Sequence, residues 1–466
     1  MPKQAAGDND ETQTQSPKDH EQKTQNLLYV IKDGGVDCKV FLDKMMIDNG
    51  TMKQIKHMIQ HPSVSKSKIR IMPDCHHGKG CCIGFSAHLS DKIVPSFIGN
   101  DIGCGILTYN VGKINESLED MDNFIRANIP IDSNTHKVAI ITTDMYNDMF
   151  AKATTEAQNF AKTYKEKFNI DINQYIPSYS QLWLKQKCVD YMCDLENVER
   201  GFCTLGKGNH YIEMNIDKNN DLYITIHSGS RSFGQAVFTH HQNKINATKY
   251  IDYDDLTRTK KKLERKYKNS KELKKVCDDL MLDIHSNLHP DYLEGVDAYT
   301  YYFDMIFAQK YAQGNRHQML KIILEHLKID FEPENIIESV HNYIDFNDLI
   351  LRKGCIAAYS DKKSIVSLNM RDGILICVGK SNSEWNYSSS HGAGRNLNRA
   401  QSKSRIKLSD FKKSMQGIYS TSVCNETIDE SPFAYKDSDL IKIAISDSVD
   451  ILEELKPVLN IKALSS

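Results

Sequence analysis

The sequence Ser388-Ser389-Ser390-His391-Gly392-Ala393-Gly394-Arg395 is the most informative stretch of the chain, because a histidine stands directly before a turn of small residues and an arginine. The two glycines lack a Cβ atom, so the backbone can approach a ligand closely. Arg395 offers a planar guanidinium suited to a phosphate. The pattern indicates a histidine that attacks phosphorus or binds a phosphorylated group. A structural or capping histidine is the alternative, and the remaining sequence has to decide between them.

Four further polar clusters lie where a predicted strand meets a turn. Each contains a histidine or a cysteine, and they occupy residues 99–105, 205–213, 224–231 and 340–342. A rigid scaffold commonly presents ligands at such positions. These clusters therefore supply the candidate binding residues of the chain.

The residue types in these clusters favour a transition metal. Asp101 and Cys104 are three residues apart, so that a carboxylate and a thiolate can reach one ion. With three histidines they form a mixed hard and soft ligand set, which suits Mn, Zn, Co or Fe and not Ca or Mg. Taken singly, Cys104 could be a small buried hydrophobic residue, and Asp101 could form an Asx turn.

Seven segments, taken in chain order, resemble the motifs of the RtcB family of RNA ligases. Members of that family join RNA 3′-phosphate or 2′,3′-cyclic-phosphate ends to 5′-hydroxyl ends. The segments are residues 72–78, 101–105, 205–210, 227–231, 341–342, 352–354 and 391–395. They run from about residue 70 towards the C-terminus, so the resemblance covers most of the chain.

The resemblance implies a centre with two Mn²⁺ ions. Cys104 would be the thiolate that bridges both ions. Asp101 and His210 would complete the protein ligands of one ion, and His227 and His341 those of the other.

The resemblance also implies GTP as cofactor and RNA as substrate. His391 would be the catalytic nucleophile that becomes guanylylated. The guanine nucleotide would be held by Asn209, His210, Glu213, His341, Asn342, Met370, His391, Gly392, Ala393, Gly394, Tyr435 and Lys462. Positive charge would be presented to RNA phosphates by Arg231, Lys353 and Arg395. An activating protein such as archease is a possible partner in parts of the family.

The chemistry that the resemblance implies agrees with the residue types. Neutral imidazole is a good nucleophile near neutral pH, and a divalent ion neutralises the anionic phosphate that it attacks. His391 would attack the α-phosphate of GTP and release pyrophosphate. GMP would then pass to the RNA 3′-phosphate, and the 5′-hydroxyl would attack the activated phosphorus. A cyclic-phosphate end would first be hydrolysed.

One segment departs from the commonest family pattern. Many members carry Pro-Gly-Ser-Met-Gly upstream of the nucleophile, whereas this chain has Ser367-Leu368-Asn369-Met370-Arg371-Asp372-Gly373, in which only Met370 matches. A branch of the family has Asn-Met-Arg-Asp-Gly at this point, and residues 385–388 resemble that branch too. This loop normally lies against the nucleotide, so the guanosine contacts depend on it.

Two other functions remain open from the sequence. A metal-dependent phosphoesterase or nuclease could use the same metals and arginines to cleave RNA ends, with no covalent guanylate and no need for GTP. A nucleotide-binding or RNA-binding protein without catalysis is the second alternative. The presence of every expected metal ligand and of His391 disfavours it.

Composition is typical of an enzyme of the cytoplasm, or of the nucleus, and disfavours several other classes. The net charge is −2, so RNA affinity has to come from a local patch. Twelve cysteines without a Cys-x2-Cys pair indicate reduced thiols, and neither a disulfide framework nor a zinc finger. The chain has no P-loop motif, no apolar run that predicts a membrane span and no signal-peptide pattern at its N-terminus.

Blocks of predicted helix and strand alternate without a βαβ rhythm, which favours an α+β fold. Residues 1–25 are polar and predicted to be a disordered tail. Residues 26–466 are predicted to form a single large catalytic domain with mixed, mostly antiparallel sheets and surrounding helices. Strands are expected over 27–112, 203–232 and 335–425, and helices over 115–200, 236–330 and 440–455. The charge run over 259–266 is interpreted as a solvated helix face rather than an RNA contact.

Overall fold

The computed structural model describes residues 27–31, 35–247 and 291–463, together with residues 262–263, 265–267, 272–274 and 276. The predicted tail over 1–25 lies outside these residues, and so does much of the charge run over 259–266. The described part contains a seven-stranded sheet, a six-stranded sheet and two short two-stranded sheets, with helices around them. The prediction of an α+β fold with mostly antiparallel sheets is confirmed.

Seventeen strands lie in the described part of the chain. In chain order, β1 to β17 are Tyr29–Ile31, Cys38–Val40, Ile69–His76, Ile83–His88, Lys92–Ile93, Gly105–Gly112, Tyr211–Ile216, Leu222–Ser228, Leu293–Glu294, Ile337–Val340, Asn342–Asp345, Ile350–Lys353, Cys355–Ala357, Lys363–Asn369, Gly373–Gly379, Ser388–Ser390 and Val449–Lys462.

Ten α-helices are complete within the described ranges. In chain order, α1 to α10 are Asn49–Met58, Leu118–Asn128, Thr143–Phe168, Gln181–Asp190, Leu195–Arg200, Arg231–Ala247, Gly295–Leu327, Arg399–Arg405, Leu408–Ser414 and Ser438–Ala444.

The seven-stranded sheet has the order β10-β6-β8-β7-β17-β15-β14, and all its neighbouring strands are antiparallel. Every residue of its inner strand β8 is buried, because helix α7 packs on the sheet and apolar side chains such as Ile106 and Ile374 form a second cluster. A strand that is buried on both faces is rigid, so it holds the residue at its end in a fixed position.

The six-stranded sheet has the order β1-β2-β3-β4-β12-β11, in which only β2 and β3 are parallel. Strand β3 is buried over almost its whole length. The two large sheets meet where β10 of one and β11 of the other are separated by the single residue His341. Residues from both sheets therefore come together beside His341.

Helix α3 confirms part of the helical region that the sequence predicts over residues 115–200. The side chain of Thr142 caps its first turn by accepting a hydrogen bond from the backbone N–H of Met145 at 3.3 Å. Buried side chains recur every three to four residues, from Tyr146 through Phe160 to Tyr164, and this stripe packs against α7.

The predicted helix over 440–455 is wrong in its second half. Helix α10 ends at Ala444, and β17 begins at Val449. A register shift in the pairing of β17 with β15 interrupts the alternation of buried and exposed side chains, so the pattern does not read as a strand. The segment forms a strand because it pairs with β15 on one edge and β7 on the other, and this pairing outweighs its local preference for helix.

The region over 27–112 was predicted to contain strands and turns, but it also contains helix α1. Its N-cap is Asp48, which accepts a hydrogen bond from the backbone N–H of Thr51 at 2.9 Å. Only Thr51, Ile55 and Met58 are buried, so the apolar stripe is too short to stand out in the sequence. Helices α8 and α9 likewise interrupt the strand-rich region over 335–425.

The sequence predicts no membrane span and no disulfide framework. None of the described helices combines the length and the apolar character needed to cross a bilayer. The eleven cysteines among the described residues are all free thiols.

Candidate active site

His391 lies in a tight backbone turn that follows strand β16. The backbone N–H of Ser367 donates to the carbonyl of His391 at 3.0 Å, and the carbonyl of Ser367 accepts from Ala393 at 3.1 Å. Gly394 has a φ of +70°, and a Cβ atom there would collide with the backbone of Asp74. Glycine is required at this position, because the turn passes directly over strand β3.

The carboxylate of Asp74 fixes the orientation of His391. Nδ1 of His391 donates to Oδ2 of Asp74 at 2.6 Å, and the backbone N–H of Gly392 donates to the same oxygen at 3.3 Å. Because Nδ1 carries the hydrogen, the lone pair of His391 is on Nε2. The imidazole lines a cavity, so Nε2, the ring nitrogen that is not bonded to Asp74, is available to a ligand.

Lys436 holds the backbone on both sides of Asp74. Its buried ammonium group donates to the carbonyl of Pro73 at 2.9 Å and to that of Cys75 at 2.6 Å. The roles of Asp74 and Lys436 were not predicted. The sequence offered a weak signal for each, since Asp74 lies in the motif over 72–78 and Lys436 follows Tyr435.

The five predicted metal ligands come together in two groups that share Cys104. One group is Cys104, His227 and His341, the other is Asp101, Cys104 and His210, and the ligand atoms within each group lie within 4.8 Å of one another. We refer to these five residues as the ligand cluster.

The seven-stranded sheet explains why the ligand cluster forms. Cys104 directly precedes β6, His210 directly precedes β7, His227 lies near the end of β8, and His341 follows β10. These strands are neighbours in the order β10-β6-β8-β7, so their adjacent ends bring the side chains to one edge.

The donor atoms of the ligand cluster fit divalent transition metal ions. Nε2 of His227 lies 3.2 Å from Sγ of Cys104 and 3.2 Å from Nε2 of His341. Burial lowers the pKa of His227 and of His341 well below the usual histidine value, so both imidazoles are neutral. Neutral nitrogen donors and a sulfur at these distances suit a shared cation.

The second group of the ligand cluster has the same character. Nδ1 of His210 donates to the carbonyl of Leu205 at 2.8 Å, which leaves its Nε2 as the ligand atom. That nitrogen lies 2.9 Å from Oδ2 of Asp101 and 3.4 Å from Sγ of Cys104. Burial raises the pKa of the Cys104 thiol well above its usual range, so a bound cation is what would favour the thiolate.

A cavity of about 510 Å³ lies beside the ligand cluster. His227 of the cluster and His391 both line it. So do most of the residues predicted to hold the nucleotide, although they are up to about 250 positions apart in the chain: Asn209, Glu213, Met370, Gly392, Ala393, Gly394, Tyr435 and Lys462. Arg395 lines it as well.

Three of the predicted binding residues point elsewhere in the described structure. Oδ1 of Asn342 accepts a hydrogen bond from the backbone of Gly354 at 3.1 Å. The guanidinium of Arg231 donates from Nε to Oγ1 of Thr204 at 3.0 Å. The ammonium group of Lys353 is buried and donates to two backbone carbonyls, at 2.7 and 2.6 Å. None of the three is among the residues that line the cavity.

Two buried carboxylates lie at the cavity wall or directly behind it: Glu213 lines the cavity, and Glu430 is bonded to Lys462, Arg395 and Tyr435, which line it. Glu213 accepts hydrogen bonds from the side-chain amides of Asn215 and Asn460, both at 2.5 Å. Burial raises the pKa of Glu213 to about 7. We refer to Glu213, Glu430 and the side chains bonded to them as the carboxylate end.

Glu430 is surrounded by cations. Lys462 lies 2.9 Å from one of its oxygens and Arg395 3.2 Å from the other, and the hydroxyl of Tyr435 donates at 2.6 Å. Arg399, which was not predicted, is a further partner at 3.1 Å. Burial alone would raise the pKa of Glu430, but the positive charges outweigh it and lower the pKa to about 2.

The segment over 367–373, which departs from the common family pattern, contains a hairpin turn between β14 and β15. Oδ1 of Asn369 accepts hydrogen bonds from the backbone N–H groups of Arg371 and Asp372, both at 3.0 Å. Met370 is buried against Phe411 and its neighbours. The turn therefore has its own internal support and places Met370 at the cavity wall.

Comparison with known proteins identifies the family. The sequence profile described as tRNA-splicing ligase RtcB matches residues 54–463. The chain is 25% identical over 445 residues to RNA-splicing ligase RtcB1 of Escherichia coli strain ATCC 25922 and to RNA-splicing ligase RtcB of strain K12, covering 91% of this chain and 97% of each relative. It is 23% identical to tRNA-splicing ligase RtcB of Nanoarchaeum equitans, covering 90% of this chain and 93% of that protein. The chain belongs to the tRNA-splicing ligase RtcB family.

Proposed function

We propose that this chain is a GTP- and Mn²⁺-dependent RNA ligase that joins 3′-phosphate or 2′,3′-cyclic-phosphate ends to 5′-hydroxyl ends through a histidine–GMP intermediate. One observation carries the proposal. The ring of His391 lies 4.9 Å from the ring of His341 in the ligand cluster, and the hydrogen bond of Nδ1 to Asp74 leaves Nε2 as the nitrogen available for attack. A nucleophile is thus held beside a metal site within one cavity.

The first chemical step follows from this arrangement. Nε2 of His391 attacks the α-phosphorus of GTP, a nitrogen–phosphorus bond forms, and pyrophosphate leaves. The imidazole becomes positively charged as this bond forms, and the carboxylate of Asp74 stabilises the charge through Nδ1. Bound divalent ions would neutralise phosphate charge and orient the reacting oxygens.

The carboxylate end supplies the groups for the guanine. Glu213 offers an acceptor and Lys462 a donor on the cavity wall, and Tyr435 offers an aromatic ring beside them. Asn209, Met370 and the turn over 392–394 would contact the rest of the nucleotide. His210, His341 and Asn342 would complete the contacts that the family resemblance implies.

RNA has to be held by cations that the protein leaves available. Arg231 and Lys353 are engaged inside the protein, and Arg395 is paired with Glu430. Only Arg395 of these three lines the cavity. Its contact with an RNA phosphate would therefore require it to exchange its partner.

A second source of positive charge extends from the cavity along α8 and α9. We call it the basic surface, and its exposed residues are Arg399, Lys403, Arg405, Lys407, Lys412 and Lys413. Asp410 is the one acidic residue over 399–414. The five cations after Arg399 form no ion pair with a carboxylate in the described part of the chain. Such a surface suits the sugar–phosphate backbone and requires little sequence preference.

The basic surface is tested with a triple variant, Lys403→Gln with Arg405→Gln and Lys407→Gln. We expect weaker RNA binding and a plot of log affinity against log salt that is shallower by about 1 for each phosphate contact removed. Lys113→Gln with Lys162→Gln and Lys185→Gln changes the net charge equally on other exposed surfaces. Equal losses in both triple variants would show that RNA responds only to total charge.

The proposed function is tested by incubation with α-³²P-labelled GTP and MnCl₂, followed by a denaturing gel and acid treatment. We expect an acid-labile label on the wild type that is absent from His391→Ala and is not produced by labelled ATP. A folded, metal-loaded protein without label would contradict the proposal. It would favour a metal-dependent phosphoesterase or nuclease that acts on RNA ends.

The proposal assigns this activity to one catalytic domain over residues 26–466, with residues 1–25 as a tail, in a protein of the cytoplasm or nucleus. Repair of broken RNA and tRNA splicing both supply such ends. Addition of archease to a multiple-turnover assay tests whether the chain depends on an activating protein.

A further inference from the structure

We infer that His76 accepts the proton of the RNA 5′-hydroxyl during the joining step, as a catalytic base distinct from the nucleophile His391. The inference rests on the proposed ligase function and assigns a residue to its last reaction.

The geometry of His76 fixes which nitrogen is free. It lies at the end of β3, two residues after Asp74, and its Nδ1 is 2.9 Å from the backbone carbonyl of Asp74. A carbonyl oxygen can only accept a hydrogen bond, so Nδ1 carries the hydrogen and Nε2 carries a lone pair. Within the described ranges no protein group is hydrogen-bonded to this Nε2.

His76 and His391 line the same cavity, and one residue orients both. The carboxylate of Asp74 accepts from His391, and the carbonyl of Asp74 accepts from His76. The carboxylate is an anion, which stabilises the positive charge that forms on His391 during attack on phosphorus. The carbonyl carries no charge, so the two histidines are oriented by different groups of the same residue, and Nε2 of His76 is left with a lone pair that can accept a proton.

Contacts on either side hold the His76 segment in place. The side-chain amide of Gln54 donates to the carbonyl of Gly78 at 2.7 Å and accepts from its N–H at 3.1 Å. Lys436 binds the carbonyl of Cys75. The backbone is thus fixed immediately before and two residues after His76, which keeps the imidazole at the cavity wall.

His76 is in the protonation state that a base requires. Burial lowers its pKa to about 4, so the imidazole is neutral at pH 7. The anionic RNA phosphates that enter the cavity would raise this value and strengthen the base.

The oxygen of the 5′-hydroxyl attacks the phosphorus of the RNA 3′-phosphate that carries GMP, and a phosphodiester bond forms. The O–H proton passes to Nε2 of His76. The bond between this phosphorus and GMP breaks, and GMP leaves with the electron pair. His76 then returns the proton to solvent.

The test uses His76→Ala in single-turnover reactions with GTP, Mn²⁺ and two RNA strands, one with a 3′-phosphate and one with a 5′-hydroxyl. We expect the variant to label with GMP and to transfer it to RNA, while joining slows by about 10²-fold or more. The RNA that carries a 3′-terminal GMP therefore accumulates. His57→Ala, on the exposed side of α1, is the matched control.

Two further readouts separate proton transfer from structural support. Imidazole added to His76→Gly is expected to restore part of the joining rate, and joining by His76→Ala is expected to rise with pH. Joining at the wild-type rate would overturn the inference, and so would a guanylylation defect as large as the joining defect. Failure of the wild type to label with GMP would instead refute the proposed function.

Discussion

The ligand cluster and the carboxylate end of the cavity balance their charges in different ways. In the ligand cluster, imidazole nitrogens, a buried thiol and one carboxylate turn their donor atoms towards one another, with separations of 2.9 to 3.4 Å. At the carboxylate end, Glu430 is already surrounded by Lys462, Arg395 and Arg399. Glu213 is held by two amides.

This difference indicates two modes of ligand binding. The ligand cluster gains from an added cation, because its lone pairs face one another without a positive charge between them. At the carboxylate end the charged side chains already have partners within the protein, so a nucleotide must exchange contacts that the protein already makes.

Loss of the shared ligand should have the largest effect. Cys104→Ala is expected to bind fewer than two Mn²⁺ ions and to slow guanylylation by at least about 10³-fold, because metal ions contribute several kcal/mol to reactions at phosphorus. Metal content after dialysis and the rate of GMP labelling measure this. Cys377→Ala removes a buried thiol outside the cluster and should keep both ions. Two ions retained by Cys104→Ala would contradict the shared-ligand geometry.

At the carboxylate end, removal of a charge should destabilise the fold itself. Glu430→Gln leaves Lys462 and its neighbours without their buried counter-charge, and we expect a loss of about 3 kcal/mol in the free energy of unfolding. Urea denaturation without nucleotide measures it. Glu166→Gln, at an exposed position on α3, is the control, with an expected change within about 0.5 kcal/mol. Equal stability of both variants would show that the ion pairs of Glu430 with Lys462 and its neighbours do not stabilise the fold.

The contact between Asp74 and His391 should affect reactivity with little change in metal binding. In Asp74→Asn the amide oxygen still accepts from Nδ1, but it carries no charge to stabilise the imidazolium. We expect guanylylation to slow on the order of 10²-fold. Metal content should stay at two ions, as in the exposed control Asp410→Asn. Loss of metal in Asp74→Asn would mean that this residue supports the ligand cluster instead.

Glu213 should give the smallest effect, and one that depends on pH. Its pKa in the folded protein is about 7, above the ordinary value of 4.5, so the folded state binds more protons than the unfolded state between these values. Wild-type stability should therefore fall as pH rises through this window, by about 1.4 kcal/mol per pH unit relative to Glu213→Gln. Denaturation at pH 5.5 and 6.5 without GTP measures it, and parallel curves would contradict the raised pKa.

The sequence predicted some parts of the fold better than others. The long helix α3 was recognisable from its regular apolar spacing, and strand β8 from its β-branched residues. Strand β17 was mistaken for a helix, because its register shifts break the alternation and its stability comes from two neighbouring strands. Short helix α1 was not predicted, since three buried residues do not make a visible period.

The sequence also predicts some residues of the site better than others. Most residues of the ligand cluster and the cavity wall lie in short sequence motifs, so the family resemblance identifies them. Asp74, Lys436, Glu430 and Arg399 were not assigned roles, because each acts through a partner that is distant in the chain. The sequence predicts that Arg231 and Lys353 face RNA, because it shows their charge and not their surroundings. In the structure both side chains donate hydrogen bonds to acceptors inside the protein.

By itself, the sequence determined which chemical groups this chain possesses: the thiol, imidazoles and carboxylate of a metal site, a histidine before a glycine turn, and the order of motifs that identifies the family. Tertiary structure alone decided which of these groups meet and what state they are in. Strand order brings the ligands together, a hydrogen bond from His391 to Asp74 selects the free nitrogen, and burial shifts the pKa of Glu213 and His76. The physical reason is that spacing along the chain fixes neither distance nor solvation between residues that are hundreds of positions apart.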